Sequence, residues 1–179
     1  MTSRSELYEK FGITAEAAQL FETALGSILL GSKGIMEGWF AKENRSPDNK
    51  IETAFNERIE RSTLGRLLKD VSGILILDDQ IVEQFDSALS VRNDLFHHFY
   101  RRHNFSIQTS EGRTEMLDDL EKMHDELFHA WQLADAIGGT LTQHLLRLRT
   151  SDDIEKHGPI EKIEIMISDV RQSKTGTPL

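Results

Sequence analysis

Residues 78–103 read DDQIVEQFDSALSVRNDLFHHFYRRH, and the spacing of the apolar side chains in this stretch decides the fold. Apolar residues recur at alternating steps of four and three, which is the period of one buried face of an α-helix. We therefore predict a helix that is capped by Asp78 or Asp79 and continues to about His103. The positions on this face are Ile81, Phe85, Ala88, Arg92, Leu95 and Phe99, and Arg92 is their one polar member.

The same helical period recurs on both sides of this stretch and predicts an all-α protein. We expect further helices over about residues 14–41, 51–71 and 110–148, with Thr14 capping the first and a break at Ser62 in the second. Glycines in the first helix, such as Gly31, are interpreted as positions where a neighbouring helix approaches closely. Helices joined by short turns favour an up-and-down helical bundle of four to five helices.

The chain has 179 residues, which is the size of one domain. We predict that residues 1–150 form this single bundle and that residues 151–179 form a C-terminal tail. Two interpretations of the tail stay open. Its isoleucines alternate as in a strand at Ile163, Ile165 and Ile167, but the spacing of Ile160, Ile163, Ile167 and Val170 also fits a helix.

Composition and charge exclude several classes of protein. The chain has no cysteine, so disulfides and thiolate metal sites are impossible. Its formal net charge of −9 disfavours binding to duplex nucleic acid by bulk electrostatics. It has no apolar run approaching the ~20 residues that a membrane span requires, and its polar start lacks the apolar stretch of a signal peptide. We therefore expect a cytoplasmic protein without membrane contact.

A small cationic segment stands out from this acidic background. Three arginines and three histidines, but only one aspartate, fall within the twelve residues that begin at Arg92. An arginine on an apolar seam is costly unless its charge meets an anion or an interface. Arg92 therefore indicates either a functional cleft or a structural ion pair with a carboxylate. Four-residue spacing places Asn93 and His97 on one helix face. Tyr100 and Arg101 extend that face.

The string Arg92-Asn93-x-x-x-His97 resembles the signature of the HEPN superfamily, in which an arginine and a polar residue precede a histidine four to six positions after the arginine. The position of the string late in a long helix is similar too, and the resemblance covers roughly residues 14–148. It implies a metal-independent endoribonuclease, often the toxin of a toxin–antitoxin or phage-defence system. It also implies a homodimer with both motifs at the interface, RNA as substrate, an antitoxin protein as partner, and no cofactor.

The same resemblance assigns roles to individual residues. Arg92 would bind the scissile phosphate, Asn93 would orient the histidine or a phosphate oxygen, and His97 would transfer a proton. His98 also satisfies the spacing, and Asp94 lies one turn before it, where it could orient the ring. We favour His97 because Asn93 shares its face. The substrate-binding residues are then His98, Tyr100, Arg101 and Arg102.

One subgroup of the family carries a tyrosine two residues after the motif histidine, and an antitoxin adenylylates that tyrosine. The equivalent position is Phe99 if His97 is the motif histidine, and Tyr100 if His98 is. The chain therefore departs from the subgroup, which puts this form of regulation in doubt. A second class of function also stays open: a non-catalytic HEPN-like interaction module that binds a nucleotide, RNA or a protein partner through the cationic segment.

Two Glu-x-x-His strings, at Glu121–His124 and Glu126–His129, have the spacing of di-iron ligands in helical bundles. Such a site needs the two strings on different helices. Here they lie five residues apart on one predicted helix and point about 140° away from each other. We therefore predict a solvated acidic face and no metal site.

Overall fold

The computed structural model describes residues 2–36, 53, 57, 62–150 and 163–165. Within these ranges the protein is an all-α helical bundle, as predicted, with five α-helices, one 3-10 turn and two three-residue strands. The elements are α1 (Arg4–Met36), α2 (Leu64–Ile74), β1 (Leu75–Leu77), α3 (Asp79–His97), α4 (Phe99–Arg102), the 3-10 turn (Ser106–Gln108), α5 (Ser110–Thr150) and β2 (Ile163–Ile165). The predicted end of the first helix, residues 37–41, and most of the range 51–61 lie outside the described residues.

Helix α1 begins at Arg4 and not at Thr14, because a capping box precedes it. The Ser3 hydroxyl accepts a hydrogen bond from the Glu6 backbone N–H at 3.1 Å, and the Glu6 carboxylate accepts one from the Ser3 N–H at 2.6 Å. The hydrogen bond from the Ser3 N–H, and after it one from the Ser3 hydroxyl, lower the pKa of the Glu6 carboxyl. Thr14 is fully buried within the helix, and its hydroxyl donates to the Lys10 carbonyl at 2.8 Å. The threonine is therefore a core residue and not a helix cap.

The chain forms two compact units, each made of two chain segments. The first unit comprises Met1–Glu22 and Glu83–Gln132, and the second comprises Thr23–Val82 and Leu133–Leu179. The whole cationic segment lies in the first unit. The single domain over residues 1–150 stays a prediction.

In the first unit, α3 packs against α1 in the antiparallel direction. The ring of Phe21 lies 5.2 Å from that of Phe85 in α3, whereas the ring of Phe11, nearer the start of α1, lies 5.9 Å from that of Phe99, just beyond the end of α3. The predicted apolar face of residues 81–99 is confirmed, because its apolar members, on α3 and at the start of α4, are at most 2% exposed: Ile81, Phe85, Ala88, Leu95 and Phe99. Helix α3 ends before the predicted His103, since a turn at His98 separates it from α4.

Helix α5 runs parallel to α1 within the first unit. The hydroxyls of Thr2 and Thr114 lie 2.8 Å apart, and Lys10 forms an ion pair with Glu121 at 2.5 Å. Because α3 is antiparallel to α1, the three helices alternate in direction along the chain. This arrangement agrees with the predicted up-and-down topology.

The first turn of α5 makes a close backbone contact at Gly112. A Cβ atom at this position would lie 2.2 Å from the carbonyl oxygen of Ser106 in the 3-10 turn. The Gly112 N–H donates to the Thr109 hydroxyl at 3.0 Å, which caps the helix. The interpretation of Gly31 as a close-approach position is wrong, because a Cβ there would meet nothing within 4 Å.

The second unit contains a short parallel strand pair. Strand β1 pairs with β2 in the register Leu75↔Ile163 and Leu77↔Ile165, so the strand interpretation of the tail holds for Ile163–Ile165. The preceding α2 is capped by Thr63, whose hydroxyl accepts a hydrogen bond from the Arg66 N–H at 3.4 Å. None of the helices in the described ranges combines the length and apolar character needed to cross a bilayer.

Candidate functional site

Arg92 forms an ion pair with a carboxylate of its own chain. Its Nε donates to Oε1 of Glu22, on α1, at 2.8 Å. The two side chains are 25% and 31% exposed, so the pair lies at the rim of the core and not inside it. The structural alternative for Arg92 is therefore present in the fold. Its place on the apolar seam does not by itself require a second copy of the chain.

Two further groups contact the same guanidinium. Nη1 of Arg92 donates to Oδ1 of Asn93 at 3.3 Å, and Cζ lies 5.0 Å from the centre of the Phe96 ring. The Phe96 side chain is itself exposed. Within the described residues the Asn93 side chain thus orients Arg92, and no side-chain hydrogen bond joins it to His97.

Glu22 is the residue that sequence reasoning missed. It lies 70 positions before Arg92 and belongs to another helix, so no local motif connects the two. The available signal was its position beside Phe21 on the border of the α1 apolar stripe. A carboxylate there faces the neighbouring helix only if α1 and α3 pack in this register.

His97 and His98 lie together at the end of α3. Both side chains are exposed, and their ring centres are 6.2 Å apart in an edge-on arrangement. His98 leaves helical geometry, with φ −127° and ψ −23°, although its N–H still donates to the Asp94 carbonyl at 2.9 Å. Either imidazole is accessible to a molecule in solution.

Tyr100 belongs to an aromatic cluster at the surface. Its ring centre lies 5.2 Å from that of Phe11 and 5.2 Å from that of Phe99. Burial, and to a smaller extent the nearby Tyr8, raises the pKa of the Tyr100 phenol. The phenol is therefore protonated at neutral pH and can donate a hydrogen bond to an anion.

The two arginines of α4 differ in their environment. Arg101 is exposed, and no carboxylate pairs with it in the part of the chain that the structure describes. Arg102 pairs with Asp94 and also donates to Asp119 of α5 at 2.6 Å. The predicted orientation of His98 by Asp94 is wrong, because the Asp94 carboxylate binds Arg102 instead.

Asp119 connects α5 to the end of the cationic segment. In addition to Arg102, its carboxylate forms a hydrogen bond with Nε2 of His103 at 2.8 Å. Burial opposes its ionisation, but the hydrogen bonds from His103 and Arg102 together outweigh burial and hold the pKa of Asp119 below its usual value. The lowered pKa means that this carboxylate stabilises the fold in its ionised form.

We expect this contact to be lost in acid. Because the pKa of Asp119 is lower in the folded chain, its contribution is present above the unfolded value of about 3.9 and disappears as pH falls through the folded value. Urea unfolding between about pH 5 and pH 3 should show a smaller loss of unfolding free energy for Asp119→Asn than for the wild type. Asp118→Asn, at the exposed neighbouring position, is the matched control and should behave as the wild type. Equal pH dependence of wild type and Asp119→Asn would contradict the prediction.

Two acidic residues of the Glu-x-x-His strings have protein partners. Glu121 pairs with Lys10, and Glu126 accepts a hydrogen bond from the Gln84 side-chain amide at 3.1 Å. Among the residues that the structure describes, no three histidine, aspartate or glutamate side chains converge as a metal site.

The structure thus brings some of the candidate residues together and leaves others apart. Arg92 contacts Asn93, and the ring of His97 contacts that of His98, but no side-chain hydrogen bond or ring contact within the described residues joins the two pairs. The resemblance to the HEPN superfamily consequently rests on the short motif and its helical setting. No protein-family profile, curated protein or solved structure matches this chain.

Proposed function

We propose that this chain is a metal-independent endoribonuclease of HEPN type, with Arg92, Asn93 and His97 as its catalytic residues. The observation that carries the proposal is the contact of Asn93 with Arg92, which fixes a guanidinium shortly before an accessible histidine on the same helix. A guanidinium with fixed donors suits a phosphate, and an imidazole exchanges protons near neutral pH.

In the proposed reaction, the ribose 2′-oxygen attacks the adjacent phosphorus atom while the bond from phosphorus to the 5′-oxygen breaks. The products are a 2′,3′-cyclic phosphate and a free 5′-hydroxyl. His97 either takes the proton of the 2′-hydroxyl or gives one to the leaving 5′-oxygen. Arg92 stabilises the negative charge of the phosphorane-like transition state. The Tyr100 phenol and Arg101 bind the flanking RNA, and His98 and Arg102 border it.

We propose a composite site in a homodimer. Residues five apart on a helix point about 140° away from each other, so Arg92 and His97 of one copy do not share a face. A two-fold axis beside α3 would bring two arginines and two histidines into one cleft. By the same resemblance, we propose the toxin of a cytoplasmic toxin–antitoxin or phage-defence system as the setting, with an antitoxin protein as partner.

One observation favours a second function, a non-catalytic module that binds a nucleotide, RNA or a protein. Glu22 partly neutralises Arg92, and Arg102 is shared between two aspartates. Few uncommitted positive charges then remain for a polyanion in the described part of the segment. RNA binding without cleavage in the assay described below would support this alternative.

The test is cleavage of an end-labelled single-stranded RNA by the purified wild-type chain with and without EDTA. We expect cleavage in both conditions and 2′,3′-cyclic phosphate ends. A substrate with 2′-deoxyribose at the cleaved position should stay intact, because it lacks the attacking oxygen. Activity that disappears in EDTA and returns with a divalent ion would overturn the proposal. Light scattering of the active sample tests the dimer, and an active 20.4 kDa monomer would refute it.

A further inference from the structure

Only some of the N–H donors of the Arg92 guanidinium have hydrogen-bond acceptors among the residues that the structure describes. A guanidinium has five N–H donors, one on Nε and two on each terminal nitrogen. Nε is bound to Glu22 at 2.8 Å, and one Nη1 donor is bound to Asn93 at 3.3 Å. Phe96 covers one face of the group at 5.0 Å. Three terminal N–H donors, one on Nη1 and two on Nη2, therefore have no hydrogen bond within the described residues.

We propose that Glu22 is a positioning residue for the ribonuclease reaction, which holds the terminal edge of the Arg92 guanidinium free for the scissile phosphate. This inference rests on the proposed function. A carboxylate on Nε blocks the side-on approach of a phosphate and leaves the end-on approach through both terminal nitrogens. Glu22 thus selects one of the two bidentate geometries that an arginine offers.

The backbone that carries Glu22 is well anchored, which a positioning role requires. Its neighbour Phe21 is fully buried and lies 5.2 Å from Phe85 of α3, the helix that also carries Arg92. Core packing therefore fixes the Glu22 backbone relative to α3. Only the two methylene groups of the side chain lie between this backbone and the carboxylate that binds Arg92. A site held on rigid elements keeps its geometry within the small tolerance that catalysis needs.

Glu22 also has a second effect, which opposes the first. Its negative charge weakens the attraction of Arg92 for a phosphate. Two substitutions separate these effects. Glu22→Gln keeps an oxygen that can accept the Nε hydrogen bond and removes the charge, whereas Glu22→Ala removes both. If Glu22 only competed with RNA for Arg92 and did not orient the guanidinium, both substitutions would raise activity.

The experiment measures kcat and KM for a single-stranded RNA with the wild type and both variants of Glu22. Glu16→Ala, at an exposed position of the same helix, is the matched control and should equal the wild type. We expect Glu22→Ala to lower kcat by about 10-fold to 100-fold, because the guanidinium loses its orientation. We expect Glu22→Gln to keep kcat near the wild-type value and to lower KM by up to about fivefold.

The outcomes distinguish the two proposals. Cleavage by the wild type together with an unchanged or raised kcat in Glu22→Ala overturns the positioning role and leaves the ribonuclease intact. Failure of the folded wild type to cleave RNA overturns the ribonuclease and the positioning role with it. If Glu22→Ala does not fold, Glu22→Asp decides, because it keeps the charge but draws the carboxylate away from Nε by one methylene: a lower kcat supports the positioning role, and an unchanged or raised kcat overturns it.

Discussion

Replacing Arg92 or His97 by alanine should lower the rate of RNA cleavage by about 10²-fold to 10⁴-fold and leave the helix content unchanged. The proposed reaction loses its phosphate ligand in one variant and its proton carrier in the other. Neither change should unfold the chain. His97 is exposed, and Arg92 leaves behind a Glu22 side chain that is 31% exposed and keeps its hydration. A rim ion pair of this kind contributes about 1 kcal/mol or less.

Three control variants sharpen this prediction. Arg92→Lys should also cleave RNA slowly, because an ammonium group lacks both the Nε donor and the planar terminal edge. Arg101→Ala should raise KM with little effect on kcat, since Arg101 is assigned to RNA binding. His98→Ala decides between the adjacent histidines, and loss of activity there with an active His97→Ala would move the motif to His98. Wild-type cleavage rates in Arg92→Ala and His97→Ala would refute the site. Unfolding of both variants would show that the residues are structural.

Periodicity in the sequence was sufficient to predict the all-α class and the buried face of residues 81–99, but not where the first and third helices begin or end. This works because a 3.6-residue period is a local property of the chain and does not depend on which helix is the neighbour. The start of α1 is also encoded locally, in the Ser3–Glu6 capping box, and the prediction of Thr14 as the cap is wrong. A threonine inside a helix can return its hydroxyl to a preceding carbonyl, so its presence alone does not mark a start.

Contacts between elements were beyond local reasoning. The sequence showed that Arg92 needs an anion, but the identity of Glu22 depends on the register of α1 against α3. The same holds for Asp119, which lies on α5 and binds Arg102 of α4. Glycines illustrate the limit most clearly: the predicted close approach at Gly31 is absent, and the real one at Gly112 depends on the path of the preceding turn.

The substitution Gly112→Ala should destabilise the protein strongly. The new methyl carbon would lie 2.2 Å from the carbonyl oxygen, 2.6 Å from the Cα and 2.7 Å from the carbonyl carbon of Ser106. All three are backbone atoms, so no rotation of a side chain relieves the overlap. Either the 3-10 turn or the first turn of α5 must move, which endangers the cap that Thr109 provides to Gly112. We expect a loss of about 3 kcal/mol in unfolding free energy, well above the gain of up to about 1 kcal/mol in helix propensity.

Gly139→Ala in the same helix provides the opposite control. A Cβ there meets nothing within 4 Å, so only the helix propensity changes. That variant should gain up to about 1 kcal/mol, whereas Gly112→Ala should lower Tm by about 6–12 °C. Thermal and urea unfolding of the two variants beside the wild type measures both effects. If Gly112→Ala were as stable as Gly139→Ala, the close packing of the turn against α5 would be wrong. The turn that follows the cationic segment would then not be held in the position described for it.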